Sequence, residues 1–65
     1  MKRPAPVADQ VLTREECAEY ARFSVGALKN LAYRGEGPPM VKLGRSVRYR
    51  RSDVDKWLQR NLVGN

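Results

Sequence analysis

Sixty-five residues carry thirteen Lys and Arg against seven Asp and Glu, giving a net charge of +6 with no histidine and a single cysteine. A chain this short is one domain at most and buries only about 60% of its unfolded surface. With Cys17 alone it has no internal disulfide and no donor set for structural zinc, and the basic excess favours nucleic acid or an anionic surface as partner.

Residues 1 to 10, "MKRPAPVADQ", show no periodicity and read as a flexible basic arm in which Lys2 and Arg3 lie within reach of phosphates. A charged start with no hydrophobic stretch behind it does not match a signal peptide. No apolar run approaches the roughly 20 residues needed to cross a bilayer. Structure is expected to begin in "VLTREECAEYA". There Thr13 and Glu16 have the spacing of a capping box, and Leu12 is placed to staple onto Cys17. The spacing predicts a helix over 14–21, with Glu15 and Glu16 at the positive end of its dipole and Cys17, Ala18 and Ala21 on its inner side. Ser24 is the N-cap of a second helix through "VGALKNLAYR", Phe23 is positioned to staple onto Leu28, and Gly35 is the C′ glycine. Leu28, Leu31 and Ala32 make the buried stripe, whereas Gly26, Lys29, Asn30 and Tyr33 lie opposite. Two short helices joined this closely form a helix-turn-helix unit.

"GEGPP" ends the helical region, because Pro38 and Pro39 lack amide hydrogens. The period then changes from 3.6 to 2. Val41, Leu43, Val47 and Tyr49 alternate with Lys42, Arg48 and Arg50, and "GRS" at 44–46 supplies a turn with Arg45 at its tip. Pairing 43 with 47 and 41 with 49 places all four apolar residues on one inner face, with Lys42 and Arg48 paired outside. Ser52 is expected to cap the last helix, with Asp53 and Asp55 in its first turn and Val54, Trp57 and Leu58 as its core stripe. The order helix, helix, hairpin, helix predicts a small α+β winged helix-turn-helix over residues 11–61, with 62–65 as a frayed tail.

Nothing in this chain suits catalysis. No histidine is available as a general base, Cys17 falls on a buried helix face, the carboxylates sit where helix capping wants them, and the glycines at 35, 37 and 44 belong to turns. The expectation is a non-enzymatic protein with no metal and no cofactor. DNA contact is the better reading. On the second helix, Ser24 and Gly26 stand near the start, Asn30 suits adenine, Lys29 suits a guanine edge or a phosphate, and Tyr33 and Arg34 suit the backbone. A plain solvated helix face carries the same residue types, so the hairpin is the stronger signal. Its "VKLGRSVRYRR" holds five bases and no acid. Arg45 suits insertion into a minor groove; Lys42, Arg48 and Arg50 suit phosphates, and Ser46 lies beside them. Basic residues also blunt sheet edges, but that habit does not explain so one-sided a run. Val25, Gly26 and Ala27 offer no side-chain hydrogen bonds, so DNA shape is expected to carry part of the specificity.

The stretch "VLTREECAEYARFSVGALKNLAYRGEGPPMVKLGRSVRYRRSDVDKWL", residues 11 to 58, resembles the excisionase family of small phage and prophage DNA-binding proteins, with its MerR-like winged-helix fold. The motifs that carry the resemblance are "LTREECAEY", Ser24 opening the second helix, "RGEGPP", and "VKLGRSVRYRRSDVDKWL". The resemblance implies a recombination directionality factor. Such a factor binds and bends double-stranded DNA of the attachment-site region, assembles cooperatively along it, and directs phage integrase toward excision without catalysis of its own. It implies action on the nucleoid in a bacterial cytoplasm. By position it places Lys29, Asn30 and Tyr33 on the groove-facing side of the recognition helix, and Arg45 and Arg48 in the wing. This chain departs from the family at Val25, Gly26 and Ala27, where many relatives carry Arg, Ser or Thr. A small transcriptional regulator of prophage or integrase genes shares the same features. A protein-binding adaptor with a basic face is a further alternative, and it should expose an apolar patch.

Overall fold

The computed structural model describes residues 10–63, so the arm expected over 1–10 lies outside the described residues except for Gln10. Positions 64 and 65 of the expected tail lie outside them as well. The chain runs β1 (Val11–Thr13), α1 (Arg14–Ala21), α2 (Val25–Tyr33), β2 (Val41–Leu43), β3 (Ser46–Arg50) and α3 (Arg51–Arg60). Three helices and a three-stranded antiparallel sheet make the α+β winged helix-turn-helix that the sequence predicts.

Both helices of the helix-turn-helix begin and end by local chemistry. At α1 the capping box is complete: the Thr13 amide donates to Glu16 Oε1 at 2.9 Å, and the Glu16 amide donates to Thr13 Oγ1 at 3.0 Å. The helix stops at Arg22, which takes the left-handed conformation with φ 63°, and the next amide, of Phe23, donates to the Ala18 carbonyl at 2.7 Å. At α2 the Ser24 hydroxyl accepts from the Ala27 amide at 3.1 Å. The far end is a Schellman motif. Gly35, at φ 71°, donates to the Ala32 carbonyl at 3.0 Å, and the Glu36 amide donates to the Leu31 carbonyl at 2.8 Å.

The hairpin register differs from the expected one. Val41 faces Arg48, Lys42 faces Val47 and Leu43 faces Ser46, so the turn is Gly44 and Arg45 alone and Ser46 belongs to β3. Gly44 has φ 64° while Arg45 is not among the residues with positive φ, the sign pattern of a II′ turn. That two-residue turn matches the right-handed twist of the strands and is favoured over a longer loop. Because side chains alternate with period 2, a slip of one residue moves a strand's whole set to the other face. Val41 and Leu43 therefore stand outside with Ser46, Arg48 and Arg50, at 39% and 57% exposure, and Lys42 takes the side of Val47 and Tyr49.

The sequence reading also missed β1. Its register on β3 pairs Val11 with Arg50, Leu12 with Tyr49 and Thr13 with Arg48, making β3 the central strand. Three residues are too few to show an alternating pattern, and these three read only as the approach to a helix cap. Pairing turns Leu12 and Tyr49 inward together. They join Cys17, Ala18, Leu28 and Val54 in one buried cluster, with Val25 and Val47 packed against it. Leu31, Ala32 and Ala21 are half-buried at its margin.

β3 passes into α3 without a loop, and Ser52 is not its cap. The helix starts at Arg51, Arg50 holds the N-cap position, and Ser52 lies in the first turn. The junction is set by other contacts: the Arg51 amide donates to the Gln10 carbonyl at 2.8 Å, and Arg50 Nε donates to Asp53 Oδ2 at 2.8 Å. Val54 and Trp57 face inward, but Leu58 is 38% exposed rather than core, since so short a chain has nothing to lay over the flank of α3. Trp57 ties α3 to the loop after α2. Its Nε1 donates to the Glu36 carbonyl at 2.9 Å, and the Phe23 ring meets it edge-on with centroids 5.9 Å apart.

Candidate nucleic-acid interface

Burying Leu28 against the core and half-burying Leu31 leaves the opposite side of α2 to solvent. Gly26, Ala27, Lys29, Asn30, Tyr33 and Arg34 are all exposed there, with Tyr33 at 94%. Positions 26, 29/30 and 33 follow one another along a single helix face. Ser24 spends its hydroxyl oxygen on the helix cap, though the residue remains exposed. Arg34 is engaged by Glu36, through Nη2 at 3.1 Å and Nε at 3.2 Å, in a pair exposed on both sides that contributes little to stability.

On the wing, Arg45 occupies the turn and is exposed, as are Lys42 and Ser46. Arg48 is half-buried, and its Nη1 donates to the Val47 carbonyl at 2.9 Å. The acids missing from "VKLGRSVRYRR" are supplied from α3. Asp53 binds Arg50 through both carboxylate oxygens, and Asp55 lies 3.9 Å from Arg51 Nε. The sequence pattern therefore overstates the uncompensated charge. Of the cations on α2 and the wing, Lys29, Lys42, Arg45 and Arg48 have no ion-pair partner among the described residues.

Helix and wing meet at a cleft of about 380 Å³. Lys29 of α2, Arg45 and Arg48 of the wing, and Thr13, Arg14 and Glu15 at the start of α1 lie around it. Nothing in the sequence around Arg14 marks it for this position. In the sequence it is simply the residue after a helix cap, and only the fold carries it to the wing. Asn30, Tyr33 and Arg34 continue along α2 outside the cleft, and Lys42, Ser46 and Arg50 lie outside it on the wing.

Other polar groups belong to the scaffold. Burial pushes the Cys17 thiol up to about 11, so it stays protonated and unreactive. The Tyr20 hydroxyl donates to Asp55 and is held above the usual tyrosine range by that bond first, while the Arg51 guanidinium sits 5.8 Å from its ring centroid. Among the described residues no three metal-binding side chains form a group, and no helix is long and apolar enough to cross a membrane.

Comparison with curated proteins gives no match. The helix-turn-helix domain family matches residues 11–62, which takes in every element from β1 through α3. That family includes excisionase-like small DNA-binding domains, in keeping with the resemblance carried by the sequence motifs. Helix-turn-helix domains are typically not enzymes, and they bind double-stranded DNA. With α2 presenting a continuous exposed face and the wing placing arginines beside it, the chain belongs to the helix-turn-helix domain family and is a DNA-binding domain.

Proposed function

We propose that this protein is an excisionase-type architectural factor. It binds and bends attachment-site DNA, assembles along it in further copies, and directs phage integrase toward excision in the cytoplasm of a bacterial host. The observation that carries this reading is the imbalance between grip and base readout. Lys29, Lys42 and Arg45 form no ion pair among the described residues, while Val25, Gly26 and Ala27 bring no hydrogen-bonding side chain to the start of the recognition helix. A surface that holds phosphates strongly and reads few bases gains specificity from DNA shape and deformability.

The roles follow from position. Asn30 and Lys29 meet base edges, Tyr33 and Arg34 the backbone, and Ser24 and Gly26 the closest approach of α2 to the duplex. Arg45 at the turn enters a minor groove. Ser46 and Arg48 flank it on the phosphates from one face of the hairpin and Lys42 from the other, and Arg50, engaged by Asp53, adds charge to the face of Ser46 and Arg48. One observation favours protein binding as well. An apolar groove of about 840 Å³ lies between the end of α2 and α3, with Phe23, Leu58, Leu62 and Val63 partly exposed along it. An adaptor that uses that groove alone leaves the basic cleft without a role.

The deciding experiment is an in vitro excision reaction with the cognate integrase, run beside a circular-permutation bending assay. Added protein should raise the yield of excised product. It should bend the site, and Arg45→Ala should reduce bending more than Lys2→Ala does. DNA binding with no effect on excision would leave a transcriptional regulator of the same fold.

A further inference from the structure

We infer that the cleft between the start of α1 and the wing is a phosphodiester clamp, in which Arg14 acts with Lys29, Arg45 and Arg48 on one backbone phosphate of the duplex. The inference rests on the DNA-binding reading and deepens it, because it adds a phosphate ligand on α1, outside both the recognition helix and the wing.

The cleft exists because the two neighbours of β3 have different reach. Pairing with β1 stops at Thr13 opposite Arg48, where the chain turns into α1, so Ser46 and Val47 have no β1 neighbour. The notch left there is about 380 Å³ and is bordered by cationic side chains from α1, α2 and the wing, with Glu15 as the acid beside them. Cations converging on a concave surface focus their field and raise the local concentration of anions.

Arg14 itself points to a ligand. Its Nε is shielded from solvent and makes no hydrogen bond to any described residue. Arg34, Arg50 and Arg51 each have a carboxylate within ion-pair distance, and Arg14 has none among the described residues. The Arg14 Nη groups are not shielded in that way and also lack a partner among the described residues, and their planar fork matches the two anionic oxygens of a phosphodiester. The site also opens between Lys29 of the recognition helix and Arg45 of the wing, the two elements a duplex must touch at once.

The test compares the salt dependence of duplex binding for the wild type, Arg14→Gln and, as a control, Lys56→Gln on α3. Loss of one phosphate contact should lower the slope of log K against log salt by about 0.9 for Arg14→Gln. Lys56→Gln should keep the wild-type slope. A wild-type slope in Arg14→Gln overturns the clamp. Because Arg14 is half-buried, a second measurement uses the wild-type protein and follows the arginine Nε–H resonances during titration with duplex and, separately, with inorganic phosphate. The Arg14 resonance should shift saturably with duplex while Arg51 does not. If duplex binds and Arg14 does not move, the clamp fails and the DNA-binding reading stands. If duplex does not bind but phosphate moves Arg14, the anion site stands and the DNA-binding reading fails. If neither ligand moves it, the clamp is overturned.

Discussion

Arg50 and Asp53 form a two-point contact across the junction where β3 becomes α3, with Nε to Oδ2 at 2.8 Å and Nη2 to Oδ1 at 3.2 Å. The pair takes the place of a side-chain cap on α3 and puts a carboxylate in the first helical turn, where the helix dipole favours it. Asp53 is the more protected partner, with its side chain 15% exposed against 51% for Arg50.

Removing either partner should therefore loosen that junction. Discounted for the exposure of the arginine, Arg50→Ala or Asp53→Ala should each cost about 1 kcal/mol in urea unfolding. Arg50→Lys should recover little of it, because an ammonium cannot make the forked contact. The two alanine variants should part company on DNA. Asp53→Ala removes the α3 carboxylate that neutralises Arg50 of the wing and should tighten duplex binding, whereas a weakening would mean that the pair positions the wing.

Gly26 is a glycine inside a helix that the fold itself does not require. A Cβ built there meets nothing within 4 Å. Gly26→Ala should stabilise the free protein by up to about 0.5 kcal/mol, the low end of the mid-helix difference, because position 26 lies in the first turn of α2. If Gly26 marks the close approach of α2 to DNA, the same variant should bind duplex more weakly. Thermal unfolding and a gel-shift titration on the same preparation measure both effects, and unchanged affinity would remove Gly26 from the interface.

Tyr49 is fully buried in the core, yet its hydroxyl has no hydrogen-bond partner among the described residues. An unbonded buried hydroxyl contributes nothing to offset its desolvation, so Tyr49→Phe should leave stability unchanged or raise it by up to about 1 kcal/mol. Tyr49→Ala should cost about 3–5 kcal/mol through the cavity it opens, enough to unfold a domain of this size. A loss of more than about 1 kcal/mol in the phenylalanine variant would show that the hydroxyl is bonded.

Cys17 gives the fold an alkaline limit. Its folded-state pKa is raised from 9.0 to about 11 by burial, so above pH 9 the unfolded thiol releases a proton that the folded thiol keeps. The stability held at lower pH is therefore lost between about 9 and 11, at up to about 1.4 kcal/mol per pH unit. Tyr20, held up by its bond to Asp55, acts in the same direction. The urea midpoint of the wild type should fall across this range, and that of Cys17→Ala should fall less. Identical profiles would show that the thiol does not control the alkaline limit.

What the sequence determined by itself is whatever acts across three or four residues. Thr13 with Glu16, Ser24 with Ala27, and Gly35 closing α2 are contacts between near neighbours, so spacing and residue type suffice to place both helices of the helix-turn-helix and the exposed face with Lys29, Asn30 and Tyr33. The alternation of 41–49 establishes a hairpin but fits two registers, and the choice lies in the backbone of Gly44 and in which face the core accepts. Tertiary structure alone decided that Val41 and Leu43 face outward and that Val11–Thr13 becomes a third strand. It also brought Arg14 to Lys29 and Arg45. Those relationships join residues distant in the chain or depend on a slip of a single residue. Pairing and packing settle such choices, and local propensity does not.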